Sequence, residues 1–350
     1  MKKIVVHVTI NYGGGIKTVI DNLVKKQRLK YDKVLLAVEK KRLDLVDKSK
    51  FDDVLLLYEK SGRYVINGTN LQKLKKEVEK KYGGDVQLIV HGIGTIGLFG
   101  NLPKNVIFVQ HGHIENDNSF LVRMIYKLIF AKLKRKKVKI VTVSEENAKY
   151  FKELFCVDST TITNGVDVYG EKSNNFVYNI GFAGCINEHK GYEYLLQAGK
   201  ILSDLGKDFH ISIAGKEWEP SKTQRIIDDM QLTDKVTYYG EVNDFANTLL
   251  PTYDLMVLPS KMEGLPMCLI EAQAYGIPIL ATNVGGIAEV LEDGVNGYFI
   301  ERNGEDIAKK ILLCMDKQNY IELSKNSKNV YEQKFTIRQM EEKYSKLIGN

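Results

Sequence analysis

The sequence is short of the features that mark most special classes of protein. Among its 350 residues only four are cysteine, Cys156, Cys185, Cys268 and Cys314, and their spacing fits no zinc motif. That pattern reads as reduced thiols in a cytosolic protein and argues against structural zinc. Six prolines and the lack of any low-complexity tract leave no room for a long disordered linker. No internal repeat is visible, and no apolar run approaches the roughly 20 residues that a membrane-spanning helix needs. The opening MKKIVVHVTINYGGG carries two lysines and an apolar run, as a secretion signal does. His7 and Thr9 interrupt that run and it ends in a glycine turn, so it reads as a buried first strand. These absences predict a cytoplasmic chain.

What is present is ordinary in amount and uneven in placement. The chain is 44% hydrophobic and 27% charged, as soluble globular proteins are, and its length suits two domains. Residues 1–170 hold 31 Lys and Arg against 18 Asp and Glu, a net of +13. Residues 171–350 hold 19 against 26, a net of −7, which together restore the total of +6. The two halves are therefore expected to face different partners, the basic one an anionic partner such as nucleic acid or a membrane surface.

Apolar, β-branched runs alternate with helical patterns along the whole chain. In the first half, residues 4–8, 34–38, 54–58, 87–90, 106–109 and 140–143 read as strands, with helices over 16–26 and 70–81. Residues 162–175 break the rhythm with Asn164-Gly165 and Gly170. A second series follows, with strands over 180–183, 209–214, 236–239, 255–258, 279–282 and 297–300 and helices over 192–204, 223–230 and 265–275. Such alternation predicts the α/β class, as two Rossmann-like, doubly wound domains, 1–168 and 169–336. Ligands of open parallel sheets bind beyond the carboxyl ends of the strands, so the site is expected in a cleft that the two sheets face.

The sharpest local signal is PSKMEGLPMCLIE, residues 259–271, which follows an apolar strand and opens a helix. Glu263 stands at the strand's carboxyl end and Glu271 lies eight residues on, in the helix. Pro266 suits the first helical turn, where its missing N–H is harmless. The free N–H groups of a helix start suit phosphate, whereas two carboxylates suit sugar and ribose hydroxyls. A surface position is the plain alternative for Glu271, but Leu269, Ile270 and Ala272 leave it little polar face. Lys190 follows a strand in the turn Gly184-x5-Lys190-Gly191, a sensible place to meet a diphosphate. By itself it is one of 50 basic residues. Gly13-Gly14-Gly15 separates the first strand from the first helix and fits either backbone approach to a ligand or a simple tight turn. It is not GxGxxG, and no acidic ribose ligand follows the next strand, so a nicotinamide site is unsupported. Gln110-His111-Gly112-His113 follows another strand, and a lone histidine there is more often structural than functional.

Taken as a set, these residues resemble the retaining glycosyltransferases of the GT-B fold, family 4, also called group 1. The matching signature is Glu-x7-Glu at Glu263 and Glu271, within EGLPMCLIEAQAYGIPILATNVGG. The match extends through Asn164–Asp167, Lys190-Gly191, Gly285–Glu289 and Asp293–Gly297, and so covers most of the second half and the first half more loosely. The resemblance implies that Glu263 contacts the donor sugar and Glu271 the ribose. It implies that Lys190 and the Gly264, Leu265, Pro266 and Met267 turn hold the diphosphate, and that Gly14 and Gly15 lie near the donor phosphates or the acceptor. It favours His111 over His113 as the histidine that positions the sugar. The family usually has arginine directly after Gly184, where this chain has Cys185, and Lys216 is the candidate replacement. The segment Tyr238–Val242 is expected near the base, and UDP is preferred to GDP. A helix over about 337–350 is expected to pack back on the first domain.

The function implied is retaining transfer of a sugar from a nucleotide sugar to a glycan or lipid-linked glycan. The first domain takes the acceptor and the second the donor, with no cofactor. No DxD-like cluster follows a strand, so catalysis is expected to need no metal ion. The acceptor would attack from the leaving-group face while the diphosphate helps take its proton. Residues 120–139 carry eight Lys and Arg among Leu, Ile, Val, Met and Phe. Two readings of them stand side by side, a helix that meets anionic lipid at the inner face of the membrane and a core helix with a solvated basic end. Nucleic acid lacks any base-recognition motif and is not expected as a partner. The alternatives are a nucleotide-sugar epimerase of the same fold and an inactive nucleotide-sugar-binding partner subunit, the latter raised by Cys185 and opposed by the intact Glu263, Glu271 and Lys190.

Overall fold

The computed structural model describes residues 2–57, 67–96, 100–112, 120–167, 172 and 179–349. The chain divides into two compact units, Met1–Gly165 with Ile337–Asn350, and Val166–Thr336.

The first unit is built on strands β1 (Lys3–Thr9), β2 (Lys33–Val38), β3 (Asp53–Leu56), β4 (Asp85–His91), β5 (Val106–Gln110), β6 (Lys139–Thr142) and β7 (Thr160–Thr161). All pair in parallel, in the order β3-β2-β1-β4-β5-β6-β7. Helices α1 (Gly14–Gln27), α2 (Gly68–Tyr82), α3 (Phe120–Arg135) and α4 (Glu145–Phe155) connect them. Strand order reverses between β1 and β4, the switch point at which doubly wound sheets bind ligands. Both central strands read as apolar runs because helices cover both faces of a parallel sheet. Ile4, Val6, Val8, Leu88, Val90, Phe108 and Phe130 meet in one core.

The second unit repeats the scheme. Strands β8 (Asn179–Ala183), β9 (His210–Ala214), β10 (Val236–Tyr238), β11 (Leu255–Leu258), β12 (Ile279–Ala281) and β13 (Gly297–Phe299) form a parallel sheet in the order β10-β9-β8-β11-β12-β13. Its helices are α5 (Tyr192–Asp204), α6 (Lys222–Asp229), α7 (Phe245–Thr248), α8 (Met267–Ala274), α9 (Ile287–Val290), α10 (Gly304–Cys314) and α11 (Lys317–Lys334). Here the switch point lies between β8 and β11.

The final helix, α12 (Ile337–Ile348), belongs to the first unit. It buries Ile337, Met340 and Tyr344. Glu341 pairs with Lys30, and the Tyr31 and Ser345 hydroxyls lie 3.3 Å apart. Lys139 Nζ donates to the carbonyl of Leu347. The two chain segments at the border run side by side, since Val166 bridges Thr336 and its N–H donates to the Phe335 carbonyl at 3.0 Å.

Several details differ from the sequence expectations. The helix expected over 265–275 starts at Met267, and Pro266 stands before it in extended geometry (φ −71°, ψ 118°) rather than in its first turn. Of the strand expected over 54–58, Tyr58 lies outside the described residues. Helix α4 was not expected, although Ser144 caps it by accepting from the Asn147 N–H. No helix among the described residues is long and apolar enough to cross a membrane.

Candidate active site

In the second unit the site grows from the end of β11. All four strand residues are buried, and the chain then turns through Pro259 and Ser260. Ser260 Oγ donates to Glu263 Oε1 at 2.6 Å, and Lys190 Nζ donates to the same oxygen at 2.5 Å. The carbonyl of Ser260 accepts from Thr282 Oγ1 at 2.6 Å, which ties the turn to the end of β12. On the other side, the Gly286 N–H donates to the Gly264 carbonyl at 2.8 Å. Gly285 makes this approach feasible: its φ is +57°, and a Cβ there would fall 1.8 Å from the Glu263 carbonyl oxygen.

The Lys190 loop, between β8 and α5, is stitched to the Glu263 loop. Lys261 N–H donates to the His189 carbonyl at 2.7 Å. Arg302 bonds both loops, through Nε to the Pro259 carbonyl (3.1 Å) and Nη2 to the Glu188 carbonyl (2.7 Å). Burial is the largest single influence on the Lys190 ammonium and would depress it, but the charge and hydrogen bond of Glu263, together with Cys268 and Cys185, hold the group above its usual range. Lys190 is therefore a fixed cation, set against a carboxylate that is only 9% exposed.

Glu271 lies on α8 and is 7% exposed, so the surface alternative is excluded. Its carboxyl has no hydrogen-bond partner among the described residues. Burial, reinforced by the charge of Asp244, pushes its pKa up to about 7. Cys268, one turn before, is an inert thiol whose pKa burial pushes up to about 12. No side chain caps α8, so the N–H groups of Met267 and Cys268 are open. Gly264, Leu265 and Pro266 form the turn that leads into it. Cys185 is exposed, and its loop pairs with that of Lys216: Ile186 bridges Glu217, and the Ile186 N–H donates to the Lys216 carbonyl at 3.0 Å. The backbone of Lys216 therefore runs beside that of Cys185. The Tyr238 hydroxyl closes the same corner on the Gly215 carbonyl at 2.8 Å.

In the first unit Gly14 and Gly15 open α1 without a side-chain cap and are exposed. His111 follows β5, and His113 lies outside the described residues. His111 belongs to a series that its sequence neighbourhood does not reveal. Its Nε2 lies 2.8 Å from His91 Nδ1, His91 Nε2 lies 3.0 Å from His7 Nδ1, and His7 Nε2 lies 2.7 Å from Gln27 Oε1. Adjacent rings stack at 5.0 and 5.2 Å. Burial lowers all three histidines, His7 and His111 to about 4. Ser260, Thr282, Arg302, His7, His91 and Gln27 all escaped the sequence reading. Only the histidines left a signal, as polar breaks in apolar strands.

Two doubly wound α/β units, each with a polar cluster at the carboxyl ends of its strands, define the GT-B class. A solved structure of Anabaena Alr3699/HepE in complex with UDP superposes with a TM-score of 0.76, covering 99% of each chain at 15% identity. Residues 171–333 match the family model described as glycosyl transferases group 1. The O-antigen biosynthesis glycosyltransferase WbnH of Escherichia coli is 27% identical over 82% of this chain and 85% of its own. The UDP-Gal:alpha-D-GlcNAc-diphosphoundecaprenol alpha-1,3-galactosyltransferase of Escherichia coli is 26% identical over 66% of this chain and 65% of its own. The second unit thus matches the group 1 glycosyltransferases, and the chain over most of its length is similar to glycosyltransferases.

Proposed function

We propose that the protein transfers a sugar, with retention, from a nucleoside diphosphate sugar to a glycan or lipid-linked glycan, and that UDP is the nucleotide. One observation carries this reading: a buried Glu263 held by Lys190 and Ser260 at the end of β11, beside the uncapped start of α8. Glu263 accepts from hydroxyls of the donor sugar. Glu271, a buried carboxyl with no hydrogen-bond partner among the described residues, accepts from the ribose. Lys190, Lys216 and the N–H groups of the Gly264–Met267 turn hold the diphosphate as it gains charge. The second unit is the donor domain and the first the acceptor domain, where Gly14, Gly15 and His111 serve the ligands. The two relatives, one in O-antigen biosynthesis and one using UDP-Gal and a lipid diphosphate, support this choice of donor and acceptor.

The reaction needs no divalent ion, since Lys190 and backbone N–H groups offset the leaving charge. A hydrolysis screen across UDP-, GDP- and ADP-sugars, run with EDTA, tests the reading. Turnover of a UDP-sugar is expected in the parent, and Glu263→Ala is expected to abolish it. Lys190→Ala should lower kcat about a hundred- to a thousandfold. Equal activity of parent and Glu263→Ala, or a strict requirement for magnesium or manganese, rejects it.

A further inference from the structure

The series Gln27–His7–His91–His111 runs through the interior of the first unit from the last residue of α1, across β1 and β4, to the end of β5. His7 and His91 are buried and His111 is half-buried, each ring stacks on the next, and desolvation keeps each neutral at physiological pH. A neutral imidazole carries one proton and one lone pair on its two nitrogens. Every contact in the series needs one proton, so the state of one end dictates the other. Gln27 presents Oε1, which can only accept, and its Nε2 has no partner. The proton of the first contact is therefore on His7 Nε2. His7 Nδ1 is then bare and accepts from His91 Nε2–H. His91 Nδ1 is bare in turn and accepts from His111 Nε2–H. His111 Nδ1 ends the series as a lone pair with no partner among the described residues.

We propose that Gln27, acting through His7 and His91, locks His111 in its Nε2–H form, so that Nδ1 serves as an acceptor for a hydroxyl of a bound sugar. Gln27, His7 and His91 are positioning residues, since none of them meets the ligand. The assignment has chemical content beyond the presence of a histidine. A bare Nδ1 takes a hydroxyl donor and repels a phosphate or carbonyl oxygen, and a neutral, Nε2-committed ring is no proton donor to a leaving group. The choice of a sugar as ligand rests on the function proposed above, whereas the order of protons does not.

The test is the long-range ¹H–¹⁵N spectrum of the full chain labelled in its histidines, at pH 7.5, with His111 assigned by His111→Asn. His7, His91 and His111 are expected as neutral Nε2–H tautomers. An Nδ1–H tautomer or an imidazolium at His111 overturns the proposal, and the parent spectrum alone suffices to show it. Gln27→Met removes the oxygen at nearly equal length, and His91→Phe keeps a stacked ring but cuts the series. Either variant should convert His111 from one tautomer to a mixture. A single Nε2–H form retained in Gln27→Met overturns the role of Gln27. A spectrum as expected beside a failed nucleotide-sugar screen would leave the relay standing and remove the enzymatic reading.

Discussion

Glu271 sits in a helix whose neighbours Leu269, Ile270 and Ala272 are fully buried, and no described residue hydrogen-bonds its carboxyl. Its pKa rises from 4.5 to about 7 through burial and the charge of Asp244. Below about pH 4.5 the folded and unfolded chains both hold the proton. Between there and about pH 7 the unfolded chain releases it and the folded chain keeps it, so stability falls as pH rises. The loss levels off above pH 7 at roughly 3 kcal/mol. Glu271→Gln should match the parent in thermal melts at pH 4.5 and exceed it at pH 8, and a difference independent of pH would count against the buried carboxyl. Cys185 and Lys216 set a second comparison. On the proposed role of Lys216 at the diphosphate, Cys185→Arg should crowd two cations and weaken donor binding. Lys216→Ala should weaken it too. Tighter binding in Cys185→Arg with no effect of Lys216→Ala would mean that the arginine site is empty.

At the scale of elements, the loops after β8, β11 and β12 act as one piece because backbone carbonyls, rather than side chains alone, join them. Gly285 is the tightest joint. Gly285→Ala combines a left-handed backbone with a Cβ 1.8 Å from the Glu263 carbonyl oxygen. It should cost more than about 2 kcal/mol and displace Glu263, so that activity is lost even where the protein remains folded. Gly206→Ala has a similar φ of +65° but open space around it, and should cost about 1 kcal/mol with activity kept. Urea melts and donor turnover on the two variants separate contact from conformation; equal effects would reject the account. The strands were legible because central parallel strands are apolar on both faces, as β1, β2 and β11 are. Glu263, Glu271 and Lys190 were legible as a spaced motif. Helices α4 and α10 were not expected, although Ser144 and Asn303 stand at their starts, because a cap is a local signal that weighs less than apolar periodicity. The histidine series was invisible for a different reason: its members come from two strands, the position just after a third and a helix, and only the register of the sheet brings them together.

For the whole molecule, the charge division is the largest asymmetry, +13 over residues 1–170 against −7 over the rest. Helix α3 gives it a local form. Met124, Ile125 and Leu128 are exposed, with Arg123, Lys127, Lys134 and Arg135 exposed around them, while Ile129, Phe130 and Leu133 face the core. An apolar strip framed by cations suits an anionic lipid surface better than water. Vesicles containing anionic lipid should carry the protein in flotation at low salt, and neutral vesicles should not. Leu128→Asp should reduce flotation without unfolding the chain, because the side chain is 51% exposed. Binding indifferent to lipid charge, or unchanged by Leu128→Asp, would favour the solvated-face reading.

The return of α12 to the first unit has a consequence for biosynthesis. The polypeptide that completes the first unit is translated only after the entire second unit has been made. Until then α1 lacks its covering helix, and Tyr31 and the ammonium of Lys30 lack the partners that Ser345 and Glu341 supply. On the ribosome the second unit is thus the first able to finish, although it begins later. The vulnerable interval, with apolar surface of the first unit uncovered and open to misassociation, lasts as long as the synthesis of its neighbour.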